Sequence, residues 1–95
     1  RIRVDKLDDV EVNFTGQSNT LIVHSIDISG TLAEVTRQLS RAKINIANMS
    51  LYRGRRGGRV LMVIEMDQKV PPVVRKLIDE LPGVDRLTYY ERGAD

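Results

Sequence analysis

The sequence predicts an α+β domain in which two helices lie on one face of a four-stranded antiparallel sheet. Three observations predict it: four short runs rich in β-branched and aliphatic residues, two segments whose apolar residues recur every three or four positions, and glycine or proline punctuation between them in the order βαββαβ. Ninety-five residues allow one such core and leave no room for a second. Right-handed crossovers then pack both helices against the same sheet face, which is the ferredoxin-like arrangement.

The opening segment alternates Ile2 and Val4, then Val10, Val12 and Phe14, around Asp8-Asp9, and reads as an N-terminal β-hairpin. The small polar stretch from Thr15 to Asn19 is a linker, so hairpin and linker take residues 1–19. The main domain is expected over 20–91, with 92–95 as a tail. Its first strand spans Thr20 to Asp27, carries Leu21, Ile22, Val23 and Ile26, and is closed by a Ser-Gly breaker.

From Thr31 to Lys43 the residues Leu32, Val35, Leu39 and Ala42 fall on one helical stripe. Thr31 and Glu34 have capping-box spacing, with Ser29 as the rival N-cap. Ile44 to Arg53 returns to period two, GRRGGR at 54–59 supplies a turn, and Val60 to Met66 is a nearly continuous apolar strand. Pro71 and Pro72 suit the first turn of a second helix, in which Val73, Val74, Leu77, Ile78 and Leu81 form one stripe before Pro82-Gly83 stops it. Val84 to Glu91 makes the last strand.

Composition narrows function by exclusion. The chain has no cysteine, so it forms no disulfide, no thiolate nucleophile and no cysteine-held zinc or iron–sulfur site. Its one histidine, His24, cannot make a His-rich metal site, and no nucleotide-binding glycine motif occurs. No apolar run is long enough to span a membrane and the first residues lack a signal-peptide core, so an unexported cytoplasmic protein is expected, with no membrane partner. A chain that opens on Arg1 rather than methionine reads as a piece of something longer, a processed terminus being the alternative. The net charge of +2 is spread over 15 basic and 13 acidic residues, which gives no reason of its own to expect nucleic acid.

An RNA-recognition module shares the strand order but needs aromatic residues on its two central strands to stack bases. TLIVHSID and GGRVLMVIEM contain none, and Arg53, Arg55, Arg56 and Arg59 read as solvated residues around a hairpin tip. A hydrolytic dyad of His24 and Ser25 fails because strand neighbours point to opposite faces, which leaves His24 a packing role. Glu65 and Asp67, two apart at a sheet end, read as solvated rather than as an acid/base pair. The chain alone is therefore expected to carry no catalytic residue.

Asp27-Ile28-Ser29-Gly30, leading into the first helix, is more informative. A helix N-terminus presents unpaired N–H groups to a carboxylate, Gly30 permits close backbone approach, and Asp27 and Ser29 offer an ammonium acceptor and a hydroxyl. The structural alternative is a capping serine beside a glycine that relieves strain. Asn45, at the start of the second strand of the domain, has an amide that both donates and accepts.

DISG before a helix, INIANM after it, the Gly-rich turn, RVLMVIEMD and LPGV together resemble an ACT domain, the βαββαβ module that senses amino acids in metabolic enzymes. VEVNFTG leading into TLIVHSID, then NMSLYR and MVIEMDQ, is similar to the C-terminal or β-subunit region of iron–sulfur-dependent L-serine dehydratases. The serine-sensing domain of D-3-phosphoglycerate dehydrogenases is the near rival. The resemblance implies a small amino acid, L-serine, bound between two paired copies by Asp27, Ile28, Ser29, Gly30, Thr31 and Leu32 of a loop and by Asn45 and Ile46 of a strand. It implies a homodimer, a catalytic domain or α subunit as partner, and a four-iron four-sulfur cluster held outside this Cys-free chain. Ser29 stands where the family usually has proline, which loosens that loop. A pairing module without ligand is the alternative role.

Overall fold

The computed structural model describes residues 3–7, 10–14, 17–26, 28–54 and 58–93. Two strands, β1 (Arg3–Leu7) and β2 (Val10–Phe14), pair antiparallel from Arg3 opposite Phe14 to Leu7 opposite Val10. The expected turn at Asp8-Asp9 lies outside the described residues, as do Thr15 and Gly16 of the linker and Arg55 and Arg56 of the basic cluster. The main sheet is built from β3 (Asn19–Ser25), β4 (Ile46–Arg53), β5 (Val60–Met66) and β6 (Val84–Tyr90), with α1 (Ile28–Arg41) and α2 (Pro72–Asp79) in the crossovers. Its order is β4-β5-β3-β6 with every neighbour antiparallel, so the βαββαβ ferredoxin-like arrangement holds.

The two faces of this sheet are both apolar, for different reasons. Leu21 and Val23 of β3 and Val60, Met62, Ile64 and Met66 of β5 pack beneath Val35 and Leu39 of α1 and Val74 and Ile78 of α2. Full burial of one such side chain stabilises by about 1.5–3 kcal/mol, so this layer dominates the energetics. The residues between them, Ile22, Leu61 and Val63, point the other way and meet Phe14 at the end of β2, with Tyr52 and Tyr90 packed alongside. The Phe14 and Tyr90 rings lie 5.0 Å apart at 54°, a tilted aromatic pair. A central strand covered on both faces explains why β3 is buried from end to end.

Several boundaries move. The first strand ends at Ser25, not Asp27, and α1 starts at Ile28, three residues before Thr31. Ser29 and Thr31 are therefore both inside the first turn, so neither is the N-cap and the capping box with Glu34 does not form; Glu34 pairs with Arg37 instead. The strand expected from Ile44 begins at Ile46. In α2, Val74 and Ile78 are buried but Val73 and Leu77 are exposed, at 65% and 47%, because a helix lying flat on a sheet buries a narrower arc than the full apolar stripe. Pro71 and Pro72 begin that helix as expected, with Pro71 extended at the N-cap and no side-chain cap.

The exit from α1 is set by a left-handed residue. Lys43 has φ of 60°, its N–H meets the Ser40 carbonyl at 3.0 Å, and the Ile44 N–H meets the Leu39 carbonyl at 3.0 Å. This is the Schellman closure, made here without glycine. It drops Ile44 into the core and delivers Asn45 to the surface at the start of β4.

Candidate functional site

The residues singled out from the sequence fall into two groups at opposite ends of α1. Ile28, Ser29, Gly30, Thr31 and Leu32 form its first turn and a half, and Asn45 and Ile46 follow its last turn. A 14-residue helix separates its ends by about 20 Å, so one copy of the chain does not bring the two groups together. Asp27 lies outside the described residues.

At the first end, Ser29 and Gly30 are exposed and the first N–H groups of the helix have no intrahelical acceptor. Thr31 is different: it is buried, and its side chain lies against Gly83 of the α2–β6 turn. Leu32 packs half-buried against the main core. Gly30, Thr31 and Glu34 face Leu81, Pro82 and Gly83 across a cavity of about 230 Å³. From Ile28 onward the loop expected from the sequence is thus a helical turn docked on the LPG turn, with Ser29 and Gly30 exposed.

At the second end, Thr36, Ser40, Lys43, Ile44, Asn45 and Ile46 line a cavity of about 380 Å³. Asn45 lies one residue before β4 rather than in it, and its backbone is used twice. Its N–H donates to Gln68 Oε1 at 2.7 Å, and its carbonyl accepts from the Asp67 N–H at 3.0 Å. Asn45 is exposed and lines the cavity together with Lys43 and Ser40. The Thr36 hydroxyl already donates to the Leu32 carbonyl at 2.9 Å. A register shift between Ile46 and Asn48 re-aims the strand beside the cavity, as bulges next to binding sites do. One ammonium, one amide and hydroxyls suit a small ligand with a carboxylate and polar atoms.

Sequence reasoning missed Thr36, Ser40, Lys43 and Gln68. Thr36 and Ser40 sit four apart on α1, the spacing that places them on one face, so that signal was present. Gln68 carried none, because it meets Asn45 across 23 residues of chain.

His24 is buried and on the face opposite the helices. Arg86 Nη2 lies 2.9 Å from His24 Nε2. A guanidinium has no acceptor, so Nε2 accepts and the proton sits on Nδ1. Glu65 accepts from Asn48 Nδ2 at 3.0 Å, and Arg59 pairs with Asp85 at 3.2 Å. Among the described residues no cluster of His, Cys, Asp or Glu could hold a metal ion, and no helix is long and apolar enough to cross a membrane. Without cysteine the residues of this chain do not fit an iron–sulfur cluster.

A family model described as the ACT domain matches residues 19–83. A D-3-phosphoglycerate dehydrogenase of Methanocaldococcus jannaschii is 34% identical over 79 residues, 83% of this chain and 15% of that protein. A Bacillus subtilis (strain 168) protein named "Probable L-serine dehydratase, beta chain" is 28% identical over 88 residues, 93% of this chain and 40% of that protein. A D-3-phosphoglycerate dehydrogenase of Archaeoglobus fulgidus is 32% identical over 91 residues, 94% of this chain and 17% of that protein. The chain thus spans well under half the length of these relatives. Among solved structures, the C-terminal domain of the MgtC protein from Mycobacterium tuberculosis superposes with a TM-score of 0.60 at 13% identity, covering 88% of this chain and 98% of that one, a likeness of fold.

Proposed function

The chain belongs to the ACT domain family, and from that premise we propose that it is the amino-acid-sensing regulatory or assembly domain of an L-serine dehydratase, binding L-serine between two paired copies. One observation carries the reading: the two groups of polar, accessible atoms sit at opposite ends of α1, so a ligand touches both only when a second copy is placed alongside. The first turn of one copy then meets the Lys43–Asn45 cavity of the other.

The sheet supplies the means of pairing. β4 lies at one edge, and Ile46 and Leu51 of that strand are 37% and 45% exposed on the helix side. An edge strand offers backbone groups to another strand, and these side chains offer apolar surface beside it. In this reading serine acts through differential contacts: it stabilises the arrangement of copies that completes its site, and the catalytic domain or α subunit, which holds the iron–sulfur cluster in the cytoplasmic parent enzyme, responds.

Thermal melts of this chain across the twenty amino acids test it. A ligand at about 100 times its dissociation constant adds roughly 2.7 kcal/mol to folded-state stability, a shift easily read in a domain of this size. A shift confined to L-serine and near neighbours supports sensing; no shift with any amino acid overturns it in favour of a pairing module without ligand. The second reading, a serine-sensing domain of a D-3-phosphoglycerate dehydrogenase, is favoured by the two dehydrogenases among the similar proteins. Assay of the full-length parent separates the two, since one releases pyruvate and ammonia from serine and the other oxidises a phosphoglycerate.

A further inference from the structure

At the opposite edge of the sheet from β4, an arginine is held as though for a ligand. Arg75 of α2 donates its Nε–H to the Val70 carbonyl at 3.1 Å, and its guanidinium carbon lies 4.6 Å from the centroid of the Tyr89 ring on β6. The Tyr89 hydroxyl in turn accepts from the Val70 N–H at 3.0 Å, and Val70 is buried in the main core. Both the guanidinium and the ring beneath it are therefore anchored to one core residue. The two terminal amino groups of Arg75 make no hydrogen bond or ion pair to any described residue. Arg75 borders an open cavity of about 340 Å³ whose other walls are Lys76, Asp79, Leu87 and Tyr89.

We propose that this groove between α2 and β6 binds a monocarboxylate, with the terminal amino groups of Arg75 as its anchor. A guanidinium already fixed through Nε and stacked on an aromatic face presents its remaining N–H groups in the planar fork that matches a carboxylate, and it has little rotamer freedom left to lose. Lys76 adds a second cation and Asp79, which makes no ion pair with any described residue, subtracts one, so the rim favours a single negative charge over two. Leu87 supplies an apolar wall for a short hydrocarbon chain on the ligand. The site shares no residue with the Asn45 cavity.

Titration of the isotope-labelled chain with sodium butyrate at constant ionic strength, with chloride as control, tests this by NMR. Saturable shifts at the Arg75 Nε–H, Tyr89 and Leu87 are expected. Arg75→Lys keeps the charge but not the fork, and it should weaken binding about tenfold or more, the equivalent of one lost charge-assisted hydrogen bond. Should Arg75→Lys disturb the fold through Val70, Asp79→Asn serves instead: it leaves the clamp in place and is expected to tighten butyrate binding. Shifts no larger than those with chloride, unchanged binding in a folded Arg75→Lys variant, unchanged binding in Asp79→Asn, or inorganic phosphate binding more tightly than butyrate would each overturn the proposal.

Discussion

Gly83 lies so close to Thr31 that a Cβ built on the glycine would stand 1.8 Å from the threonine Oγ1 and 3.2 Å from its Cβ. The turn after α2 is thereby seated directly on the first turn of α1, and the Gly83 carbonyl also accepts from the Ile26 N–H at 3.1 Å. Glycine is needed here for room.

Gly83→Ala should therefore cost about 1–3 kcal/mol of stability by overpacking. Thr31→Ala in that background should restore part of the loss, because it removes the nearest atom. Urea unfolding of the two single variants and the double variant measures the coupling. Additive effects would mean that Gly83 matters for another reason.

Asn45→Ala should abolish a serine-induced thermal shift while leaving the fold intact, since only the Asn45 backbone is bonded to Gln68 and Asp67. A retained shift would remove Asn45 from the site. Melts of the variant with and without serine decide it.

Lys43→Gly separates stability from binding. A non-glycine residue in the left-handed region costs about 1 kcal/mol, so the variant should melt higher without ligand. It also removes the cation beside Asn45, so its response to serine should be weaker. A rise in melting temperature with an undiminished serine response would place the carboxylate elsewhere.

Phe14→Ala should destabilise by about 3 kcal/mol, the range for truncating a buried aromatic, and should uncover Ile22, Leu61 and Val63. Fluorescence of a hydrophobic dye and sedimentation of the variant report the uncovered face. No change in either would mean that the hairpin contributes little cover.

Arg86→Leu removes the donor to a buried imidazole nitrogen. Loss of this hydrogen bond to a charged donor should cost about 1–3 kcal/mol and should change the His24 tautomer from the Nδ1–H form read from the geometry. Nitrogen-15 spectra of the ring before and after the substitution give the answer directly.

How much of the site was legible depends on the range of the interaction that makes it. Gly30, Asn45 and the helix between them are local features, readable from the spacing of Leu32, Val35 and Leu39 and from the breakers at either end. The start of α1 was misplaced because Ser29 and Thr31 both look like caps, whereas the structure puts both within the first turn and buries Thr31 against Gly83. Val73 and Leu77 share the apolar stripe with Val74 and Ile78 but are exposed, because periodicity gives the stripe and not the width of the surface beneath it.

The sequence by itself determined the order of elements, because period two, period 3.6 and the turn residues are written in neighbouring positions. It also determined that this chain holds no thiolate chemistry. Only the tertiary structure decided that Phe14 covers the second face of the sheet, that Gln68 holds Asn45, that Arg75 stacks on Tyr89, and that the two ends of the candidate site stand apart. Those contacts join residues far apart in the chain, and their partners are chosen by strand register and helix placement, which no local pattern encodes.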